Sequence, residues 1–375
     1  MSTTPHTVRT LGVQEAGRPA LFTSELGPVE DGQFRVETLY TGLSAGTELT
    51  FVKGTNPYLS ATWDAELGVF REGEPSRSFP IPAMGYMEVG RVAETRTDAV
   101  AVGDTVAMAY GHRSGFVGDA GAPGLTVLPP ELDPLLGVYV AQMGPICANG
   151  LLHAAAEVAG VQAGLGDGVR GRNVLVTGAG VVGLLTGLFA RSLGAAEVAV
   201  SDPDPRRLAA AEGLGLLPVH DDGQESVWRW TTSRWQHAPR DVGADVVFQC
   251  RGQAAALATA LRALRPQGTV IDLAFYQGGA PELRLGEEFH HKGLTIRCAQ
   301  INRVPLGMAG TWDRARLSAA TVDLLTEHGD AVRAHLVTDV VPFDEAPEVV
   351  LELAERRRST IQAVFDLTGE TTGRA

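Results

Sequence analysis

A glycine turn framed by a strand and a helix constrains this chain more than any other feature. Residues Asn173–Thr177 (NVLVT) form a short apolar run typical of a buried strand, and the six residues GAGVVG follow directly. The apolar run 181–193 has the length of a helix, and a second strand-like run, 197–201, leads to Asp202. Strand, glycine turn, helix and strand in this order predict the first half of a doubly wound parallel sheet.

The glycines of this turn have separate physical tasks in a dinucleotide site. Gly178 permits the tight turn, Gly180 lets the backbone approach a pyrophosphate, and Gly183 lets the helix pack close to the strand. The first helical amides, from Val181 and Val182, lie at a positive dipole end that favours phosphate. We therefore expect these five residues to bind a dinucleotide.

The acid at the end of the second strand predicts which dinucleotide is bound. A carboxylate at Asp202 would accept hydrogen bonds from both adenosine ribose hydroxyls and repel a 2′-phosphate, so NAD is favoured over NADP. Arg206 and Arg207 follow and would soften this preference, so NADP stays possible and Arg207 is included in the expected site. A methyltransferase also uses a glycine-rich turn and an acid, but the third glycine and the large preceding domain argue against one.

Composition excludes several other classes of protein. The 31 basic and 44 acidic side chains give a net charge of −13, which argues against nucleic acid as a partner because phosphate binding needs a basic face. The three cysteines form no CxxC, so neither a disulfide framework nor a four-thiolate zinc site is expected. Neither a secretory signal nor a run of roughly 18 apolar residues is present, so we expect a cytoplasmic protein with no membrane partner.

The length of 375 residues predicts two domains. Residues 1–150 contain short β-like runs between Gly and Pro, typical of a mostly antiparallel β-domain, and within them 54–82 is interpreted as a long, functional loop. From 151 to 328, strand-like and helical runs alternate, which predicts a parallel sheet covered on both faces. Three of the five tryptophans lie in 223–241, where we expect packing or an oligomer contact rather than ligand stacking.

With this domain order, the chain resembles the medium-chain dehydrogenase/reductases over nearly its whole length. Besides the glycine turn, the segments GADVVFQCRG (243–252), LRPQGTVIDLAF (264–275) and PFDEAPEVVLEL (342–353) carry the resemblance. It implies an α/β fold with a β-rich, GroES-like catalytic domain and a Rossmann domain. The catalytic domain would take residues 1–150 and, after a C-terminal return, 329–375. The resemblance also implies an NAD(P)-dependent enzyme with a small-molecule substrate, acting as a homodimer.

The residues at the family's zinc-ligand positions predict that zinc is absent. The segment GLSAGTELT (42–50) has Ala45 where the zinc branch has a ligand cysteine, and Tyr86 replaces the ligand histidine. The third ligand position falls around Gly144, and the cysteine-rich lobe for a structural zinc is missing. The SAGTEL segment and residues 285–305 resemble the zinc-less branch that includes bacteriochlorophyllide dehydrogenase-like proteins and dehydrogenases of actinomycete biosynthetic pathways. An alternative metal cage from Glu48, Glu88 and His112 stays open.

Without a metal, a hydroxyl, an imidazole or a carboxylic acid must polarise the substrate oxygen and move its proton. Thr47 matches the family's proton-relay hydroxyl, and Tyr86 would direct its phenol to the former metal position. Glu48 follows Thr47, and His112 lies just past a strand. Each of the four also has a structural interpretation, as a turn, core, surface or loop residue.

Three further residues are expected near the nicotinamide. Asn149 matches the family position beside the ring, where a small polar side chain is usual. Cys250 ends the fourth strand of the parallel sheet and Phe275 ends the fifth, and the carboxyl ends of such strands face the ligand.

Three functions are compatible with these patterns. The first is a zinc-independent, NAD-dependent oxidoreductase acting on an alcohol or ketone of a small biosynthetic intermediate. The second is a zinc-less, NADPH-dependent enoyl or quinone reductase, against which Asp202 argues. The third is a dinucleotide-binding module without catalysis, against which the polar SAGTE segment argues.

Overall fold

The computed structural model describes residues 6–276 and 278–371, whose contacts divide the chain into two units. The first unit ends at Gln142 and resumes at Val337, and the second runs from Met143 to Leu336. In the part of the chain before Met143, alternating apolar and polar residues form short strands, as a sheet with one solvated face requires. These elements are β1 (His6–Glu15), β2 (Arg18–Leu26), β3 (Gln33–Gly42), α1 (Ala45–Val52), β4 (Ala61–Asp64), β5 (Val69–Glu72), β6 (Glu88–Thr95), β7 (Thr105–Met108), β8 (Gly115–Asp119) and β9 (Thr126–Val127).

In the second unit, apolar strands alternate with helices that cover them. The two central strands, Asn173–Thr177 and Ala244–Gln249, are buried along nearly their whole length, and their sequences are accordingly mostly apolar rather than alternating. The elements are α2 (Met143–Ala159), β10 (Asn173–Thr177), α3 (Val181–Ser192), β11 (Glu197–Asp202), α4 (Pro205–Gly213), β12 (Leu217–His220), α5 (Ser226–Arg234), β13 (Gln236–Ala238), β14 (Asp241–Val242), β15 (Ala244–Gln249), α6 (Ala254–Ala263), β16 (Leu264–Asp272), α7 (Glu288–Lys292), β17 (Thr295–Cys298) and α8 (Arg314–His335).

The main sheet of the second unit has the order β12-β11-β10-β15-β16-β17 among the described residues, and each neighbouring pair is parallel. The order reverses between β10 and β15, which is where doubly wound sheets bind ligands at the carboxyl ends of their strands. The predicted α/β fold with a doubly wound parallel sheet is confirmed.

The chain after Leu336 returns to the first unit with β18 (Val337–Pro342), α9 (Ala346–Ala354), β19 (Gln362–Asp366) and α10 (Thr368–Thr371). Its β19 pairs with β3, so the larger described sheet of this unit runs β18-β19-β3-β6-β7-β9, with β8 also on β3. The pairs are antiparallel except β18–β19, as expected of a β-rich domain. The expected domain boundaries at 150/151 and 328/329 fall inside α2 and α8. Both helices belong entirely to the second unit, which runs from Met143 to Leu336.

The centre of the segment 54–82 contains regular secondary structure. The prediction of a long loop was therefore wrong for this part of the segment. It contains a single 3-10 turn, Pro57–Leu59, and the hairpin of β4 and β5. Trp63 faces Phe70 across this hairpin, with ring centroids 5.2 Å apart. Strands of four residues are too short to show a period in the sequence.

The tryptophans of 223–241 pack against the core of the second unit, in agreement with the packing interpretation. Trp235 is buried and its indole nitrogen donates to Glu197 Oε2 at 2.7 Å, while Trp228 and Trp230 are partly buried against the same core. Among the helices in the described ranges, none has the length and apolar character that crossing a bilayer needs.

Candidate active site and dinucleotide site

The first unit contains a buried cluster of polar side chains contributed by β3, α1, β6 and the loop after β7. The structure brings together all four expected catalytic residues: Thr47 and Glu48 from α1, Tyr86 from just before β6, and His112 from four residues after β7. Three more residues complete the cluster: Thr41 at the end of β3, Ser44 at the N-cap of α1 and Glu88 at the start of β6.

A glycine makes this convergence possible. Gly85 has a φ of +106°, and a β-carbon there would lie 2.8 Å from the His112 ring and 2.9 Å from Glu88 Oε1. No other residue type would allow both groups to approach the backbone beside Tyr86 so closely.

Continuous hydrogen bonds join the two glutamates of the cluster. His112 Nε2 lies 2.6 Å from Glu48 Oε2, and His112 Nδ1 contacts the hydroxyl of Thr41. That hydroxyl lies 3.2 Å from Glu88 Oε1, and Glu88 Oε2 accepts the backbone N–H of Tyr110 at 2.8 Å. Since Glu48, Glu88 and His112 are each at most 2% exposed, these bonds replace hydration entirely.

Burial and charge act in opposite directions on the imidazole. Burial lowers the pKa of His112, but the charge and hydrogen bond of Glu48 and the charge of Glu88 outweigh it, so the pKa is raised. Burial also raises the pKa of Glu88, against the attraction of His112. The cluster therefore holds a proton more tightly than its separate groups would in water.

Tyr86 presents the hydroxyl of this cluster that is best suited to acid chemistry. Its Oη forms hydrogen bonds with the hydroxyls of Ser44 and Thr47. Burial and the charge of Glu48 raise the pKa of Tyr86 to about 12, and the two hydroxyl bonds oppose that rise. The phenol is therefore protonated at neutral pH and can donate a hydrogen bond to a substrate oxygen.

Sequence reasoning missed Ser44 and Thr41. Ser44 could have been found, because a serine directly before a helix is an N-cap candidate whose hydroxyl is expected to form a hydrogen bond. Thr41 carried none, because its role follows only from its cross-strand pairing with Glu88.

The cluster does not fit a zinc ion. The four carboxylate oxygens of Glu48 and Glu88 already accept from Ser44 N–H, His112, Thr41 and Tyr110 N–H. Glu48, Glu88 and His112, the alternative metal cage, do lie together, but their polar atoms are used in hydrogen bonds within the cluster. Within residues 6–276 and 278–371, no group of three or more His, Cys, Asp or Glu is arranged to hold a metal ion.

The third ligand position of the zinc branch is closed as well. At Gly144, in α2 of the second unit, a β-carbon would lie 2.1 Å from the Thr321 side chain. No ligand side chain fits there without moving α8.

In the second unit, the glycine turn has the close contacts that its sequence predicted. Gly178 has a φ of +99°. Gly180 is the N-cap of α3, and no side-chain capping hydrogen bond is made there. A β-carbon on Gly183 would lie 1.8 Å from the carbonyl oxygen of Gly178, so only glycine fits. This arrangement leaves the helix N-terminus available to a phosphate.

Asp202 and Arg207 flank this turn. The Asp202 carboxylate accepts the backbone N–H of Ala179 at 2.9 Å and that of Asp204 at 2.9 Å, so it also holds the turn in place. Arg207 reaches the turn, since its guanidinium lies 3.6 Å from the β-carbon position of Gly180. Arg206 instead pairs with Asp204 at the surface.

The residues expected near the nicotinamide lie in different environments. Asn149 is buried in α2, where its Nδ2 donates to the carbonyls of Gln300 and Arg303, and its Oδ1 has no partner within the described residues. Cys250 follows β15, and burial raises the pKa of its thiol well above the ordinary value, which argues against a nucleophile. Phe275, beyond β16, is 44% exposed.

Comparison with known proteins is consistent with this geometry. The zinc-binding dehydrogenase family matches residues 181–315. The chain is 26% identical over 325 residues to D-guloside 3-dehydrogenase of Escherichia coli, covering 83% of this chain and 86% of that protein. It is 38% identical over 241 residues to an E. coli zinc-type alcohol dehydrogenase-like protein, covering 64% of this chain and 60% of the relative's length.

Solved structures show the same fold. E. coli galactitol-1-phosphate dehydrogenase superposes with a TM-score of 0.72 at 17% identity, covering 96% of this chain and 99% of the other. A zinc-binding dehydrogenase from Sinorhizobium meliloti, bound to NADP, superposes with a TM-score of 0.71 at 17% identity over the same shares.

Proposed function

We propose that the chain is a zinc-independent member of the medium-chain dehydrogenase/reductase superfamily of zinc-type alcohol dehydrogenase-like oxidoreductases, and that it interconverts an alcohol and a ketone with NAD(H). The single observation that carries the proposal is the phenol of Tyr86, whose hydroxyl forms hydrogen bonds with those of Ser44 and Thr47. The family resemblance assigns a zinc ligand to the position of Tyr86. A bound nicotinamide nucleotide supplies or accepts the hydride.

The second unit contains the residues that would hold this nucleotide. The free amides of Val181 and Val182 at the start of α3 suit a pyrophosphate, and the Asp202 carboxylate suits ribose hydroxyls. The buried, unpartnered Oδ1 of Asn149 suits an amide donor such as the carboxamide of nicotinamide. Arg207 suits a phosphate, which is why NADP is tested beside NAD.

In ketone reduction, Tyr86 would donate its Oη proton to the substrate oxygen as the carbonyl carbon is reduced. Because its pKa is raised to about 12, the phenol is in the acid form at neutral pH. Ser44 and Thr47 would then stabilise the phenolate left by the transfer. In alcohol oxidation the same atoms would act in reverse.

The substrate class is proposed from the relatives. Their names include a glycoside 3-dehydrogenase and a sugar-alcohol phosphate dehydrogenase, which makes polyhydroxylated ketones and their alcohols the first compounds to test. A small biosynthetic intermediate of this kind fits the proposal. We also expect a homodimer, which light scattering tests.

The proposal is tested by titrating the protein with NADH and NADPH by fluorescence and assaying ketones, polyols and enones with the nucleotide that binds. We expect tighter binding of NADH, turnover of a ketone or polyol, and full activity after dialysis against a chelator. Tyr86→Phe should lower kcat about 100-fold or more while NADH binding is unchanged.

Two outcomes would replace the proposal. Turnover of enones with NADPH alone would identify an enoyl or quinone reductase, and binding without turnover would identify a dinucleotide-binding module. Stoichiometric zinc whose removal abolishes activity would contradict zinc independence.

A further inference from the structure

We propose that Ser44 is a positioning residue for the acid–base step, holding the Tyr86 hydroxyl in place, and that Glu48 and His112 hold Ser44. This inference rests on the proposed function. It concerns a residue that neither the motif nor the family position of Tyr86 singles out.

Ser44 does not make the hydrogen bond that its position favours. It is the N-cap of α1, where a serine hydroxyl ordinarily accepts a backbone N–H from the first helical turn. Here the hydroxyl makes no capping bond and contacts Tyr86 Oη instead. Because a capping bond stabilises the start of a helix, its diversion marks a competing requirement.

The Ser44 backbone is held by hydrogen bonds on both sides. Its N–H donates to Glu48 Oε1 at 2.8 Å, and Glu48 is in turn bonded to His112. On the other side, the N–H of Leu43 donates to the carbonyl of Ala363, and Gln362 Nε2 donates to the carbonyl of Leu43. Ser44 itself is 6% exposed, so its hydroxyl has little freedom to turn elsewhere.

The bond from Ser44 also sets the direction of the phenolic proton of Tyr86. When Ser44 donates its hydroxyl hydrogen to Tyr86 Oη, the phenolic hydrogen points away from Ser44 and is available to a substrate oxygen. The same bond strengthens as negative charge develops on Oη, because hydrogen bonds to charged acceptors are the stronger kind. Ser44 would therefore act on kcat rather than on nucleotide binding.

A double-mutant cycle tests this role. With the ketone that wild type reduces, Ser44→Ala should lower kcat about 10- to 100-fold and leave the KM for NADH unchanged. In the Tyr86→Phe background, the same substitution should cause no further loss, because the group it acts through is gone. Equal losses in both backgrounds would overturn the proposal. Ser60→Ala, at an exposed serine of the same unit, is the matched control.

Two further measurements keep the test decisive. If Ser44→Ala does not fold, Ser44→Gly removes the hydroxyl with a residue that helix N-caps tolerate, and Ser44→Thr should restore activity. In protein labelled with ¹³C at tyrosine Cζ, the resonance lost in Tyr86→Phe should shift in Ser44→Ala and not in Ser60→Ala. No shift would refute the bond without reference to catalysis, whereas absent turnover by wild type would refute only the proposed function.

Discussion

His112 and Glu48 form a buried hydrogen-bonded pair in the first unit, with 2.6 Å between Nε2 and Oε2. The Thr41 hydroxyl lies between His112 Nδ1 and Glu88 Oε1, so a proton can reside on the imidazole or, with Thr41 as the bridge, on the Glu88 carboxyl. Both arrangements satisfy every donor in the chain of bonds. The cluster thus holds one bound proton between His112 and the carboxyls of Glu48 and Glu88.

This proton makes stability dependent on pH. The pKa of His112 is raised in the folded state, so its contribution is fully present below about pH 6.5, the unfolded value, and is lost as the pH rises through the folded value. The raised pKa of Glu88 acts in the same direction. We expect the free energy of unfolding, measured in urea, to fall as the pH rises above about 6.5.

His112→Gln should remove the part of this decline that comes from the imidazole, while the part that comes from Glu88 should remain. It should also lower the free energy of unfolding by about 3–5 kcal/mol at pH 6, because it leaves buried carboxylates without their cation. The exposed His220 offers a control, since His220→Gln should preserve the wild-type profile. A wild-type stability that stays level between pH 6.5 and 9 would contradict the bound proton.

Gly183→Ala should destroy the glycine turn. The added methyl group would lie 1.8 Å from the Gly178 carbonyl oxygen, a backbone atom that cannot move without opening the turn. We expect NADH binding to be lost in a fluorescence titration and the unfolding free energy to fall by about 1–3 kcal/mol. At Gly187, one turn later in α3, an added methyl group would lie closer than 3.6 Å only to the end of the flexible Leu216 side chain, at 2.9 Å, so Gly187→Ala should bind NADH normally.

Asp202→Ala should weaken both nucleotides, but NADH more than NADPH. Loss of the acceptor for Ala179 N–H loosens the turn for either nucleotide, and leaving buried donors unsatisfied costs about 1–3 kcal/mol. The additional loss of ribose contacts should affect NADH alone, because the carboxylate repels a 2′-phosphate. Calorimetric titration of both nucleotides measures the two effects, and equal losses would show that Asp202 serves the turn only.

Arg207→Ala should weaken dinucleotide binding about three- to tenfold, because the guanidinium of Arg207 reaches the glycine turn. Arg206→Ala is the matched control, since Arg206 pairs with Asp204 at the surface. The difference between the two variants should shrink at high salt. Identical affinities for both variants would remove Arg207 from the site.

The sequence alone determined the start of the parallel sheet in the second unit because its signals are local. The strand, turn, helix and acid between Asn173 and Asp202 are contiguous, and each residue has a task set by backbone geometry. Repeated alternation of apolar strands and helices likewise predicted the parallel sheet. The four-residue strands β4 and β5 escaped notice, because so short a run shows no period.

Only the tertiary structure decided how the polar residues of the first unit act together. Thr41 and Glu88 meet because β3 and β6 pair in that register, and His112 reaches them from the loop after β7, where Gly85 leaves room. A one-residue change of register would turn these side chains to the opposite face of the sheet. Their partnership with Glu48, and the bond between Ser44 and Tyr86, therefore depend on contacts between distant segments, which no pattern along the chain specifies.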